Sequence, residues 1–345
     1  MNISPNYKYS EFRIFLISLR PLKLILMLLQ FVILIAGLLL ILFGANYLVD
    51  GSSSIAKRFG LSEFVIGLTI VGIGTSTPEM VVSFLSAFQG KADMAIGNVV
   101  GSNIFNTLLI LGASAAVFPL AISKNALKKD LPLNIGVTIL LLILGLNFTL
   151  FGIGESNTLS RIDGVILLLI FAWYLWSSFK NDSTDDEEQE SIKTYSPIIS
   201  VALILAGLIA LIFGGKLFVN AATEIAKGFG MSEKFIAITI MAAGTSMPEL
   251  ATSVVAAFKK KGQLALGNVI GSNISNILLI LGGSALINPL SFAGMNAVDM
   301  GVLLGCTIFL LIFAITFKKK QIDRIEGVIL LLGMAAYMWY MISNL

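Results

Sequence analysis

The sequence of 345 residues contains no histidine and only one cysteine, Cys306. Histidine is the commonest general base and metal ligand in proteins. Its absence excludes histidine-based catalysis, catalytic triads and most zinc sites. A single cysteine inside an apolar run can form neither a disulfide framework nor a cysteine metal cluster. We therefore predict that the chain is not an enzyme and that it holds no resident cofactor.

Charged side chains are also scarce. They make up 12% of the chain, about half the share in ordinary soluble domains, whereas apolar residues make up 57%. So little charge cannot coat a water-facing surface of this size, and so high a hydrophobicity excludes a disordered chain. The net charge of +3 is spread along the sequence without a basic patch, so no nucleic-acid partner is expected.

Long apolar runs fill most of the sequence instead. A helix that crosses a bilayer needs about 20 mostly apolar residues, and ten runs meet or approach this length. We predict an all-α membrane protein with ten transmembrane helices, some of them broken by glycine-rich stretches. The predicted spans are Leu24–Val49, Phe64–Gln89, Met94–Ile122, Leu131–Phe151, Gly164–Phe179, Pro197–Asn220, Phe235–Phe258, Leu264–Phe292, Ala297–Phe317 and Gly327–Ser343.

Two polar segments divide the chain. Residues 1–23 are predicted to form a tail at the membrane surface, and residues 180–196 an acidic linker between two five-helix halves, 24–179 and 197–345. Lysine and arginine are concentrated in the loops on the same side as the linker, which places the linker in the cytoplasm. A solvated connector is the favoured interpretation of the linker, and a regulatory cation-binding loop is the alternative.

The two halves repeat each other. Gly74–Glu79 (GTSTPE) recurs as Gly244–Glu249 (GTSMPE), and Gly97–Asn106 (GNVVGSNIFN) recurs as Gly267–Asn276 (GNVIGSNISN). Each half holds five predicted spans, an odd number, so the second half enters the membrane from the opposite side. Inverted repeats with broken helices are typical of secondary transporters, whose substrate site lies at the membrane midplane between the repeats.

Glu79 and Glu249 are the acidic residues that lie deep within apolar runs, and they occupy equivalent positions in the two repeats. An ionised side chain at the bilayer centre is costly unless it is paired or hydrated. Lys216, toward the end of the sixth predicted span, is the one basic residue at any depth. A bound cation is therefore the expected counter-charge.

Oxygen-bearing residues surround both glutamates in the sequence. Hydroxyls precede each glutamate, prolines at 78 and 248 free a backbone carbonyl upstream, and further hydroxyls and amides come from the neighbouring span. Carboxylate, amide, hydroxyl and carbonyl oxygens suit Ca²⁺ and Na⁺ better than Mg²⁺. Asn103 and Asn273 are expected to make structural hydrogen bonds. The candidate ligands are Thr75, Ser76, Thr245, Ser246, Ser102, Asn106, Ser272 and Asn276.

The doubled G-T-S-x-P-E and G-N-x-x-G-S-N-x-x-N motifs resemble the α-repeats of the sodium/calcium exchangers, in the cation/Ca²⁺ antiporter superfamily. The resemblance runs from about Leu24 to the C-terminus and fits the prokaryotic type, which implies a plasma membrane location. It implies two inverted five-helix repeats and exchange of Ca²⁺ against Na⁺ by alternating access. It also implies the ligands Glu79, Thr75, Ser76, Ser102, Asn106, Glu249, Thr245, Ser246 and Ser272, with backbone carbonyls near Gly72 and Ala242.

The chain departs from the resemblance at one pair of positions. Some members carry aspartate where this chain has Asn106 and Asn276. The two remaining carboxylates balance one Ca²⁺, two Na⁺ or two protons, so a Ca²⁺/H⁺ antiporter is the alternative and a cation channel a more remote one. The proton-coupled branch shows a different motif before its glutamate, and the potassium-dependent branch has an acidic pair that this chain lacks.

Overall fold

The computed structural model describes residues 5–152, 156–180, 194–231, 240, 242–316 and 320–344, with the backbone alone for residues 5–24. The described chain is helical apart from four two-residue strands, which agrees with the predicted all-α class. The first-half helices are α1 Pro5–Phe59, α2 Glu63–Ile66, α3 Gly72–Thr75, α4 Thr77–Phe88, α5 Ala92–Phe105, α6 Leu111–Val117, α7 Leu131–Gly145, α8 Asn147–Phe151 and α9 Arg161–Lys180.

The second half repeats this order of elements. Its helices are α10 Pro197–Gly228, α11 Ala242–Thr245, α12 Met247–Phe258, α13 Gly262–Ser275, α14 Gly282–Ile287, α15 Ala297–Ile315 and α16 Arg324–Ser343. Wider π-helical turns occur at Gly67–Val71, Asn106–Ile110, Ala126–Asp130 and Asn276–Leu281, and the strands are β1 Leu120–Ala121, β2 Thr158–Leu159, β3 Leu290–Ser291 and β4 Gln321–Ile322.

Within the described residues, seven helices are long and apolar enough to cross a membrane, and the pair Glu63–Thr75 and Thr77–Phe88 forms an eighth span bent by 48°. The bend confirms the interruption expected in the second span. The two other predicted spans coincide with shorter helices, α7 with α8 and α11 with α12, and residues 235–239 and 241 of the latter span lie outside the described residues. The chain is thus a multi-pass membrane protein, and the count of ten stays a prediction.

Helix α1 begins earlier than expected. It runs without a break from Pro5, so residues 5–23 are helical and continuous with the first span. Their position at the membrane surface stays a prediction, and most of the acidic linker, residues 181–193, lies outside the described residues.

Helices α1 and α10 pack side by side in opposite directions. Gly37 faces Gly214, and Gly44 faces Gly207, so the residue numbers rise along one helix as they fall along the other. A Cβ on Gly44 would lie 2.9 Å from the carbonyl oxygen of Gly207, and one on Gly214 would lie 2.9 Å from that of Gly37. Glycine lets the backbones approach this closely, which supplies packing energy that hydrophobicity cannot supply between helices in lipid.

The ends of the two halves pack on each other reciprocally. Gly112 in α6 meets Gly327 in α16, where an added Cβ would lie 3.0 Å from the carbonyl oxygen of Gly327. Gly164 in α9 meets Gly282 in α14, where an added Cβ would lie 2.6 Å from the carbonyl oxygen of Gly282. The last helix of each half therefore rests on the third span of the other half.

The bent span crosses directly over α13, the most deeply buried of the spanning helices among the described residues. A Cβ on Gly67 would lie 2.5 Å from the carbonyl oxygen of Leu264, and one on Gly271 would run into the backbone of Leu68. This contact brings the first half of the bent span against the neighbour that carries Ser272 and Asn276.

Short strands link the loops of the two halves. Strand β1 pairs antiparallel with β4, and β2 pairs antiparallel with β3. Strands β1 and β3 are equivalent in the two repeats, as are β2 and β4, so each half contributes one strand to each pair. The two pairings join the loops of the two halves, and one residue of each strand is buried in the core.

Adjacent glycines in α10 provide a test of the α1–α10 contact. An added Cβ at Gly214 would lie 2.9 Å from the carbonyl oxygen of Gly37, whereas one at Gly215 meets nothing within 4 Å. We expect Gly214→Ala to lower the stability by about 1–3 kcal/mol through overpacking and Gly215→Ala to leave it unchanged or slightly raised. Thermal melting of the purified variants in detergent measures this difference, and equal melting temperatures would contradict the close contact.

A candidate cation site between the repeats

Both copies of the G-T-S-x-P-E motif break a helix shortly before their glutamate. Helix α3 ends at Thr75, Ser76 leaves the helical path, and α4 starts with Pro78 and Glu79 in its first turn. Proline fits the first turn of a helix because the N–H groups there have no acceptor within the helix, so the missing N–H costs no hydrogen bond. Glu249 stands in the same place in α12. Each of these helices therefore starts beside a carboxylate, where the positive end of the helix dipole attracts negative charge.

The two glutamates form one site because each is held by a serine of the other repeat. The hydroxyl of Ser76 donates to Oε1 of Glu249 over 3.0 Å, and the hydroxyl of Ser246 donates to Oε1 of Glu79 over 3.2 Å. Ser102 also donates to Oε1 of Glu79, over 3.4 Å. These contacts confirm that Ser76, Ser246 and Ser102 lie beside the carboxylates.

Four buried oxygen atoms of this site have no hydrogen-bond partner in the described part of the chain. They are Oε2 of Glu79, Oε2 of Glu249, Oδ1 of Asn106 and Oδ1 of Asn276. Each of these side chains is at most 1% exposed. Leaving a buried acceptor unpaired is costly, most of all for a carboxylate. The four unpaired acceptors occur as two equivalent pairs, one glutamate and one asparagine oxygen from each repeat.

Within the described residues, no lysine or arginine forms an ion pair with Glu79 or Glu249. Ion pairs join Lys227 with Glu224, Lys259 with Asp50, and Lys261 with Glu63. Lys216, the basic residue that lies within the sixth predicted span, has an exposed side chain. The same residues contain no group of three or more His, Cys, Asp or Glu side chains that could together hold a metal ion. The two carboxylates of the site therefore have no basic partner among the described residues.

The side-chain NH₂ groups of Asn106 and Asn276 donate to other asparagines, whereas their Oδ1 atoms have no partner among the described residues. Nδ2 of Asn106 donates to Oδ1 of Asn273 over 3.1 Å, and Nδ2 of Asn276 donates to Oδ1 of Asn103 over 3.0 Å. A π-helical turn begins at each of the two asparagines. Such wide turns are frequent at functional sites. Asn103 and Asn273 make structural hydrogen bonds, as expected.

Two of the remaining predicted ligands, Thr75 and Ser272, lie beside the carbonyl of Gly72. The hydroxyl of Thr75 donates to the carbonyl oxygen of Gly72 over 3.4 Å and to Oδ1 of Asn268 over 3.2 Å, and Ser272 donates to the same carbonyl over 3.1 Å. Thr245 is half-buried at the end of α11, and Ala242 begins that helix. Their direct ligation stays a prediction.

Asn98 and Asn268 hold the glutamate helices in place, a role that the sequence interpretation missed. Nδ2 of Asn98 donates to the carbonyl oxygen of Glu79 over 3.1 Å and to Ser83 over 3.0 Å. Nδ2 of Asn268 donates to the carbonyl oxygen of Glu249 over 3.3 Å and to Ser253 over 2.8 Å. The signal for this role in the sequence was the G-N pair that begins both copies of the G-N-x-x-G-S-N-x-x-N motif.

Comparison with known proteins identifies the family. The family model described as sodium/calcium exchanger protein matches residues 29–180 and 199–343. The chain therefore belongs to the sodium/calcium exchanger family, which confirms the resemblance seen in the motifs. A membrane transporter family also agrees with the prediction of a multi-pass membrane protein of the ion-transport class.

Individual relatives cover nearly the whole chain. The sodium/calcium exchanger MaX1 of Methanosarcina acetivorans is 32% identical over 90% of this chain and 97% of its own. The inner membrane protein YrbG of Escherichia coli is 36% identical over 76% of this chain and 81% of its own. Among solved structures, the sodium-calcium exchanger NCX_Mj superimposes with a TM-score of 0.77 at 35% identity, covering 92% of this chain and 99% of that one.

The bracing asparagines form a matched pair for mutation. Asn268 is fully buried, whereas Asn98 makes the same two bonds from a half-buried position. Asn268→Leu should therefore lower stability by about 1–3 kcal/mol, because its partners are left unpaired without access to water. Asn98→Leu should cost less. Cation-free thermal melting compares the two, and an equal or larger loss in Asn98→Leu would contradict the assigned roles.

Proposed function

We propose that this member of the sodium/calcium exchanger family is a secondary antiporter that exchanges Ca²⁺ for Na⁺ by alternating access, at a midplane site built on Glu79 and Glu249. The observation that carries the proposal is the set of four buried, unpaired oxygens that belong to two carboxylates and two amides. Two negative charges match one Ca²⁺. Carboxylate and amide oxygens are the ligands that Ca²⁺ prefers.

The architecture supports alternating access. Helices α1 and α10, the first of each half, run antiparallel, as two inverted five-helix repeats require. Ser76 and Ser246 exchange hydrogen bonds with the opposite glutamates. A site shared by two inverted halves is exposed to one side of the membrane or the other when the halves rearrange. We infer ten transmembrane helices from the same relations.

The proposed ligand set extends beyond the four unpaired oxygens. Hydroxyls and carbonyls around the glutamates complete the six to eight oxygens, roughly, that Ca²⁺ takes. They also give dehydrated Na⁺ ions neutral oxygens once Ca²⁺ has left. The full set is Glu79, Glu249, Thr75, Ser76, Thr245, Ser246, Ser102, Asn106, Ser272 and Asn276, with the carbonyls of Gly72 and Ala242.

Removing either carboxylate tests the site. Glu79→Gln and Glu249→Gln each halve the fixed charge that holds Ca²⁺. Breaking a buried charge pair costs about 3–5 kcal/mol, which is more than about a hundredfold in affinity. Uptake of ⁴⁵Ca²⁺ into Na⁺-loaded proteoliposomes should fall to background in both variants. Glu224→Gln, which alters an exposed ion pair, is the control and should transport normally. Wild-type uptake in either site variant would refute the assignment.

The identity of the counter-ion needs a separate experiment, because two glutamates balance two protons as well as two Na⁺. A proton carrier has no need of the neutral hydroxyls of Thr75, Ser76, Thr245 and Ser246, so we expect Na⁺ coupling. Proteoliposomes loaded with Na⁺ should take up Ca²⁺ at equal pH on both sides, and internal choline should stop uptake. Robust uptake into choline-loaded vesicles with an acidic interior would favour a Ca²⁺/H⁺ antiporter instead.

A further inference from the structure

The amide of Asn276 is oriented by a chain of hydrogen bonds that ends on the backbone. Nδ2 of Asn276 donates to Oδ1 of Asn103 over 3.0 Å, and Nδ2 of Asn103 donates to the carbonyl oxygen of Asn273 over 3.1 Å. A carbonyl oxygen only accepts. Asn103 must therefore turn its NH₂ group to the carbonyl and its Oδ1 to residue 276. Residue 276 then has to be a donor on that side.

The equivalent chain at Asn106 ends differently. Nδ2 of Asn106 donates to Oδ1 of Asn273 over 3.1 Å, and Nδ2 of Asn273 donates to the hydroxyl of Thr107 over 2.9 Å. That hydroxyl in turn donates to the carbonyl oxygen of Asn103 over 3.0 Å. A hydroxyl can donate or accept, so this chain can reverse. The residue equivalent to Thr107 in the second repeat is Ile277, which has no hydroxyl.

We propose that Asn103 and Asn273 are positioning residues that fix the charge of the cation site at two carboxylates. The fixed amide orientation of Asn103 requires a hydrogen-bond donor at position 276. The amide of Asn273 likewise requires a donor at position 106, except when its amide group turns over and its Oδ1 accepts from the Thr107 hydroxyl. The proposal rests on the cation site of the proposed function and explains why the third and fourth side-chain ligands of this chain are neutral amides. All four asparagines are at most 1% exposed, so water cannot replace a missing donor.

The two positions should respond differently to aspartate. A carboxylate at position 276 would place an acceptor oxygen against Oδ1 of Asn103, which cannot turn. A carboxylate at position 106 would be met by the NH₂ group of a reversed Asn273, whose Oδ1 would then accept from Thr107. The carbonyl oxygen of Asn103 would lose that hydroxyl but keep the backbone N–H of Asn106. Asn106→Asp therefore has a relaxation that Asn276→Asp lacks.

Four variants test the asymmetry: Asn276→Asp, Asn106→Asp, Thr107→Val and the double variant Asn106→Asp with Thr107→Val. The apparent KM for Ca²⁺ is measured in Na⁺-loaded proteoliposomes at fixed pH. We expect the KM of Asn276→Asp to exceed that of Asn106→Asp by about tenfold, the order of an unpaired buried acceptor. Thr107→Val alone should change the KM little, and adding it to Asn106→Asp should remove the advantage of that variant.

Rescue separates positioning from general structural damage. In the Asn276→Asp background, Asn103→Ser offers a hydroxyl that donates to the carboxylate, so it should lower the KM again, whereas Asn103→Leu should not. A KM for Asn276→Asp at or below that of Asn106→Asp would overturn the proposal. So would a double variant with Thr107→Val that behaves like Asn106→Asp alone. If Asn276→Asp does not fold, this last comparison decides alone.

Failure of the proposed function would look different. Wild-type protein that takes up no Ca²⁺ from Na⁺-loaded vesicles would refute Na⁺-driven exchange. The rise in melting temperature that Ca²⁺ produces in detergent reports binding without transport, so the same order of variants can still be read from it. The same ranking by melting temperature supports the positioning role, and a reversed ranking contradicts it.

Discussion

Two buried carboxylates without a counter-charge from the described protein residues are the constraint on which this structure depends. Glu79 and Glu249 each leave one oxygen unpaired in the interior of an apolar protein. Such an arrangement is costly in the empty state and becomes favourable when a cation enters. Serine hydroxyls, helix dipoles and amide groups are all placed around this pair of charges. The surrounding helices hold these groups at close range, and under the proposed function the transported ion supplies the balancing positive charge.

Duplication supplies the geometry of the site. A single repeat presents one glutamate, one broken helix and one asparagine with an unpaired oxygen, which is half of the candidate site. The second repeat, packed antiparallel through α1 and α10, brings the other half, and the hydrogen bonds of Ser76 and Ser246 cross between them. Glycines at Gly67 and Gly271 permit the backbone contact that this crossing needs. The residues that differ between the copies, such as Thr107 and Ile277, are where the two halves acquire different properties.

The residue types at the candidate site could be identified from the sequence, but the hydrogen bonds that connect them could not. Two glutamates in equivalent apolar contexts identify the charge, and the bend at Ser76 follows from Gly74 and Pro78. That Ser76 binds the glutamate of the other repeat depends on how the halves pack, which no local pattern specifies. Asn98 could have been assigned from its repetition as Asn268, had the carbonyl of the glutamate been considered as its partner. The paired strands are too short to leave a periodic signal.

The central claim is that Glu79 and Glu249 jointly bind one Ca²⁺, and anomalous scattering from crystals grown with Ca²⁺ tests it most directly. The account predicts one strong peak per chain, within about 2.3–2.6 Å of Oε2 of both glutamates and beside Oδ1 of Asn106 and Asn276. Crystals grown without Ca²⁺ should lack that peak. A Ca²⁺ peak that contacts neither glutamate, or none at a saturating Ca²⁺ concentration, would contradict the account.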